Sequence, residues 1–205
     1  MVLRVLYEDN HTIAVHKPAG ILVQGDKTGD GNLMDEVKKY LKEKYKKQGG
    51  VFLGLVHRLD RNVSGIALFA KTSKGASRLS EQFRNNDIKK VYHAVIEGEL
   101  GQKHVKLIHF LKKDEKRRVA VVSRTFKEGY DKSELEYEKL KSNRKFTLVK
   151  IYLKTGRFHQ IRIQFSAIGH PVAGDRKYGA KSNFADKSLA LCATEIEFKT
   201  ATTGE

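Results

Sequence analysis

The 205-residue sequence has one cysteine, Cys192, so an intrachain disulfide is impossible. That excludes the disulfide-stapled secreted scaffolds and points to a reducing, cytoplasmic setting. Tryptophan is absent, and prolines number only two. No Pro/Gly/Ser-rich linker, internal repeat or low-complexity tract divides the chain, which reads as one domain. Long apolar runs are missing. The longest, 51–56 and 66–70, fall far short of the roughly 20 residues a membrane-spanning helix needs. The N-terminus reaches Glu8 and Asp9 before any apolar stretch builds up, which argues against a signal peptide. Acidic residues are scarce beside basic ones, 24 against 40, leaving a formal charge of +16. A surplus of that size favours a polyanionic partner, nucleic acid ahead of an anionic membrane surface, although basic residues also occur on solvated faces for solubility alone. There is no zinc-type Cys/His spacing, no P-loop and no dinucleotide-binding glycine fingerprint. An enzyme with this sequence runs its chemistry on side chains, with no metal or cofactor.

What is present is an alternation of short strands and a few helices. Residues 3–7 and 12–16 read as two strands around an Asp9-Asn10 turn. Asn32 is placed to cap a helix over 33–47, with Met34, Val37, Leu41 and Tyr45 on one face. Residues 51–56 and 66–71 read as buried strands bracketing a polar insertion. Ser73 is the expected N-cap of a helix reaching Arg84. Residues 90–97 form another strand, and 103–153 read as strand after strand. In 145–153, Phe146, Leu148 and Tyr152 share one face, Val149, Ile151 and Leu153 the other. Glu134, Glu136 and Glu138 alternate with Leu135 and Tyr137, which gives that strand one wet face. Helical spacing returns over 158–168, with Phe158, Ile161, Phe165 and Ile168 as core stripe and His159, Arg162 and Ser166 as polar face. A last strand covers 188–198. The total is an α+β domain.

Three stretches concentrate reactive side chains. The first, Val56 to Gly65, is a charged, glycine-bearing turn between buried strands and carries His57, Arg58, Leu59, Asp60 and Arg61. Rigidly held loops are where reactive groups are commonly displayed, although a structural Arg–Asp pair closing a turn would look the same. The second, Lys89 to Gly98, puts Tyr92 and Ala94 on one strand face; a tyrosine there is an ordinary sheet residue. The third, Thr155 to Gly179, packs Arg157, His159, Gln160, Ile161 and Arg162 into one turn and a helix start. The run 112–118 (Lys-Lys-Asp-Glu-Lys-Arg-Arg) reads as a loop between strands that either touches phosphate or is a solvated hairpin tip.

In this order and spacing, the three stretches resemble the RluA-type family of RNA pseudouridine synthases. The matching segments are His57–Gly65, Lys90–Gly98, Gly156–Arg162 and Gly169–Gly179. They are joined by the early Tyr7–Asn10 and Lys17–Gly20 and by the closing 189–193, Glu197-Phe198 and 203–205. Val63 stands where threonine is commoner, and Cys192 where histidine often sits. The resemblance implies a pseudouridine synthase fold: a mixed, mostly antiparallel sheet with flanking helices and loops around a central cleft. It also implies one catalytic domain, 1–205, with no S4-type module ahead of it.

By that resemblance the chain isomerises uridine to pseudouridine in ribosomal or transfer RNA, with structured RNA as partner, no obligate protein partner and no cofactor. Asp60 is the catalytic carboxylate, Arg162 the cation that keeps it ionised, and Tyr92 the active-site tyrosine. Arg58 fills the gap left by an extruded base or holds backbone phosphate. His57, Leu59, His159, Gln160 and Ile161 line the substrate site. Arg61, Lys90, Arg157, Lys112, Lys113, Arg117 and Arg118 are candidate contacts to RNA backbone. Two rival readings remain open from sequence. One is a non-catalytic RNA-binding protein that keeps the fold. The other is a glycosidase releasing the base, for which a second carboxylate across the bond is normally needed.

Overall fold

A computed structural model describes residues 2–27 and 29–201; the closing 203–205 of the sequence match lie outside the described residues. Among the described residues, ten strands and three α-helices make an α+β fold. The chain divides into two compact units, Met1–Ile88 with Ile196–Glu205, and Lys89–Glu195.

In the first unit, β1 (Val5–Glu8) and β2 (Thr12–Lys17) are antiparallel around a turn in which Asp9 Oδ1 accepts from the N–H groups of His11 (2.7 Å) and Thr12 (2.6 Å). β2 pairs antiparallel with β4 (Ser64–Ala70), where Ile66, Ala67, Leu68 and Phe69 match the apolar run. The run 51–56 supplies only a two-residue strand, β3 (Gly54–Leu55), against the end of β4. α1 (Leu33–Lys44) starts as the sequence requires, with the Asn32 side-chain Oδ1 accepting from the Asp35 N–H at 3.1 Å. Its buried residues are Leu33, Val37 and Leu41, whereas Tyr45, expected on that face, is 47% exposed.

α2 (Ser73–Asn85) is capped by Thr72 rather than Ser73. Thr72 Oγ1 accepts from the Gly75 N–H at 3.1 Å and also meets His11 Nδ1 at 2.7 Å. The capping residue must have an extended backbone, which Thr72 has and Ser73, already helical, has not. Gly75 is required there because a Cβ would fall 2.6 Å from the His11 carbonyl. Ala14, Leu68, Ala70 and Leu79 form the core between sheet and helix, with Phe83, Ile196 and Phe198 packed against it. The segment after residue 196 is tied to α2 by Gln82, which bonds both the Lys199 carbonyl (2.9 Å) and its N–H (2.8 Å).

The second unit is a broad antiparallel sheet of β5 (Lys89–Glu97), β6 (His104–Asp114), β7 (Val119–Ser123), β8 (Asp131–Ser142) and β9 (Phe146–Leu153), in the order β5-β9-β8-β6-β7. β10 (Leu191–Glu197) begins in this unit beside β5. Alternation is clean. Thr147, Val149, Ile151 and Leu153 of β9 are buried, as are Leu135 and Tyr137 of β8. Glu134, Glu136 and Glu138 face outward, and Glu134 pairs with Lys106 at 2.6 Å.

α3 (Gln160–Ala167) is shorter than its apolar spacing implies, because His159 adopts the left-handed conformation (φ 53°) and stops the helix from extending back to Phe158. It also lacks the expected polar face: Gln160 through Phe165 are all buried. A buried helix can carry polar side chains only if each finds a partner, and those partners shape the functional region.

Candidate functional site

The turn bearing Asp60 is built on an irregular lead-in, 56–60, that follows the short β3. The Val63 N–H donates to the Asp60 carbonyl at 3.1 Å and closes a four-residue turn. On either side the chain is anchored by burial: Leu59 is 7% and Val63 3% exposed. Asp60 itself is half-buried and Arg58 exposed. His57 Nε2 accepts from the Leu68 N–H at 2.9 Å, and its ring stacks on Phe83 at 5.0 Å. It thereby ties the lead-in to β4.

A lysine that sequence reasoning noted only as part of a match proves central to this turn. Lys17 is fully buried, and its ammonium donates to the carbonyls of Pro18 (3.0 Å), Ile21 (2.8 Å) and Arg61 (2.9 Å). Three donors meet three acceptors, so burial leaves none of them unsatisfied. The Gly20 N–H also donates to the Arg61 carbonyl (2.8 Å), while Arg61 Nε returns a bond to the Gly20 carbonyl (2.9 Å). The segment 17–21 and the residue following Asp60 are thus laced together. Burial pulls the Lys17 amine down to about 8, opposed by the attraction of the Asp60 carboxylate. Arg61 spends its remaining charge on Asp30 at 2.8 Å, so its role in this structure is to hold the turn.

In the second unit, Tyr92 lies on β5 opposite Ile151 and is 9% exposed. Lys90, on the same strand, is half-buried, and burial lowers its pKa. Its Nζ sits 3.9 Å from where a Cβ on Gly156 would project, beside the loop that enters α3. Gln160 locks that loop: its Oε1 accepts from the Arg157 N–H (3.0 Å) and Thr155 Oγ1 (2.8 Å), and its Nε2 donates to the Glu134 carbonyl (3.1 Å). Arg157 reaches the Lys132 carbonyl at 3.3 Å and Asp131 at 3.6 Å. Ile161 is 5% exposed and packs inward.

Arg162 is 7% exposed and makes a two-pronged ion pair with Asp175, itself 1% exposed. Nε donates to Oδ2 at 2.6 Å and Nη2 to Oδ1 at 2.9 Å. Tyr178 covers the guanidinium, with its ring centroid 5.1 Å from Cζ. The Tyr178 hydroxyl meets His159 Nδ1 at 2.7 Å and accepts from the Ala120 N–H at 2.7 Å. It therefore bridges the start of α3 and the β6–β7 hairpin. Asp175 precedes, and Tyr178 ends, a short 3₁₀ turn, Arg176–Tyr178. The chain reaches it through Gly174, whose positive φ of 85° and 2.6 Å approach to the Phe184 ring both exclude a side chain. Glu97 fastens the far end, accepting from the N–H groups of Lys181 (2.9 Å) and Ser182 (2.7 Å) and from Ser182 Oγ (2.6 Å).

Lys112 and Lys113 end β6, and Arg117 and Arg118 belong to the tight turn before β7. All four are exposed. Lys113 lies 5.1 Å over the Phe158 ring, and Lys177 donates to the Arg118 carbonyl at 3.3 Å, so the basic hairpin leans on the Asp175–Tyr178 segment. Among the described residues, no group of three or more His, Cys, Asp or Glu side chains is gathered where it could hold a metal ion. The sequence pattern assigns Asp175 no role. A helix buried on all sides needs a carboxylate for its arginine, and Asp175 is the acid in the stretch that follows α3.

Residues 11–167 match the RNA pseudouridylate synthase family. The chain is 34% identical to ribosomal large subunit pseudouridine synthase C of Buchnera aphidicola subsp. Schizaphis graminum, over 98% of this chain and 64% of the relative. It is 33% identical to tRNA pseudouridine synthase C of Haemophilus ducreyi, over 87% and 75% respectively. Against the first of these relatives the chain spans under two thirds of the length. In fold it is similar to human RNA pseudouridylate synthase domain containing 4, with a TM-score of 0.79, 21% identity, and coverage of 94% of this chain and 83% of that one. With a family match running from His11 through Arg162 to Ala167, this chain belongs to the RNA pseudouridylate synthase family.

Proposed function

We propose that the chain is an RNA pseudouridine synthase that isomerises uridines in ribosomal or transfer RNA, both units acting as one catalytic domain. The observation that carries this reading is that the family match contains Asp60, Tyr92 and Arg162 together, each on a frame fixed by buried neighbours. No membrane-spanning helix occurs among the described residues, and we place the enzyme with its RNA in the cytoplasm.

The reaction breaks the bond from ribose C1′ to uracil N1, turns the base and joins C1′ to C5. The C5 proton leaves, and N1 acquires one. Electron deficiency appears at C1′ as the base departs, so an ionised carboxylate held there lowers the barrier by stabilising or trapping that carbon. Asp60 takes this role. Its turn is stiffened by the Lys17 lacing, which limits how far the carboxylate drifts as charge develops.

Arg162 supplies the cation that balances the Asp60 carboxylate. Of the five N–H donors of a guanidinium, Asp175 accepts two. Asp175 and the Tyr178 ring hold that cation in one orientation. Tyr92 stacks on the uracil or transfers the proton. Leu59 and Ile161 give the base an apolar wall. Gln160, His159 and His57 act by holding the loops on which the substrate rests. Arg58 fills the gap left by the everted base, and the hairpin cations Lys112, Lys113, Arg117 and Arg118, with Lys90 and Arg157, meet phosphate.

Incubating the protein with ribosomal and transfer RNA and analysing the nucleosides tests this directly. Pseudouridine should accumulate without free uracil. Free uracil and abasic RNA would make the protein a glycosidase, and RNA binding without any product would make it a non-catalytic member of the fold.

A further inference from the structure

Phe126 is 73% exposed, more than any other large apolar side chain of the described residues except Val2 near the chain start. It sits in the loop between β7 and β8, and its ring stands edge-on to Phe110 at 5.8 Å and 81°. The loop is ordered by its own hydrogen bonds: Ser123 Oγ donates to the Thr125 carbonyl (2.7 Å), and the Tyr130 N–H to the Lys127 carbonyl (3.1 Å). The ring is therefore held out in water on a built support.

Its surroundings are cationic. Arg124 and Lys127 flank it in sequence and are exposed. Lys112 shares the strand face of Phe110 and lies 5.9 Å over the Tyr130 ring. Lys132 is paired in register with Phe110 on β8. The nearby acids are Glu128, Asp131, which Arg157 approaches at 3.6 Å, and Glu134, which Lys106 (2.6 Å) and Lys132 (3.5 Å) share. This face of β6 is the one opposite Leu111, which packs with Ile163 of α3 and Tyr178. The patch thus lies outside the three sequence motifs.

A single aromatic ring offers at most about 250 Å² of contact, well below the roughly 800 Å² per partner of a stable protein interface. It does match one nucleobase, and the cations around it match the phosphates on either side. We propose that Phe126 is a stacking platform for an unpaired base of the RNA, flanked by Lys112, Arg124 and Lys127 as phosphate contacts. The proposal rests on the RNA-modifying reading and extends the footprint beyond the target uridine.

The test is the affinity of the full chain for a short oligouridine across a salt series. Phe126→Ala should weaken binding about tenfold at every salt concentration and leave the slope of log affinity against log salt unchanged, while Phe126→Tyr restores affinity. K112Q/K127Q should flatten the slope instead. Equal binding by Phe126→Ala and wild type overturns the proposal, as does a change in association state of that variant in sedimentation, which would make the ring a protein contact. If oligouridine binding depends on Phe126 but no pseudouridine forms in any RNA, the platform stands and the catalytic reading fails. If pseudouridine forms and Phe126 is dispensable for binding, the platform alone fails.

Discussion

At the scale of single residues, each unit buries ionic groups beside a residue of the proposed chemistry, Lys17 in one and the Arg162–Asp175 pair in the other. Asp175→Ala strands the Arg162 guanidinium in a buried setting and should cost about 3–5 kcal/mol in urea unfolding, with loss of turnover; a variant as stable as wild type would contradict the buried pair. Lys17→Met leaves three carbonyls without their shared donor. It should destabilise by about 3 kcal/mol and slow isomerisation, and unaltered turnover would separate Lys17 from the Asp60 turn. The residues proposed for the chemistry come from the sequence, where motif, order and spacing repeat a known pattern. Their supporting partners were not. Nothing in the run from Gly169 to Gly179 says that Asp175 meets Arg162 thirteen residues earlier, and nothing in Lys17–Gly20 says that the lysine is buried against three carbonyls.

Among the elements, strand alternation in β8 and β9 was plain from the sequence, because sheets with one packed face impose a two-residue period. α3 defied its pattern. Its polar residues are buried, Gln164 for instance with its Nε2 at the Leu107 carbonyl (3.3 Å) and His109 Nδ1 (3.1 Å), whereas spacing alone suggests a surface helix. The cap of α2 moved one residue to Thr72, and Thr72→Ala should cost about 1 kcal/mol while Ser73→Ala changes little; equal effects would return the cap to Ser73. β1, α1 and β4 meet at Glu8, which accepts from Lys71 (2.6 Å), Lys44 (2.7 Å) and Tyr45 (2.7 Å). Burial pushes its carboxyl up, but these donors outweigh it and hold it at about 2, against an ordinary 4.5. The unfolded chain then binds more protons between these values, so stability is full above pH 4.5 and falls as pH drops toward 2. Glu8→Gln should flatten the urea midpoint across that window. Burial, helped by Arg124, lowers the His109 pKa below 6.5. Acidification below that value erodes stability for the same reason.

For the whole molecule, the surplus of +16 predicts RNA affinity that falls at least about a hundredfold between low and physiological salt; salt-insensitive binding would remove electrostatics from recognition. The fold class followed from the sequence, but the division into two compact units did not, since no linker composition marks residue 88. The proposal centres on one ionised carboxylate, and the most direct measurement is pseudouridine formation by Asp60→Asn alongside its RNA affinity. The account predicts no detectable product with affinity and folding retained. Product formed at the wild-type rate would contradict it.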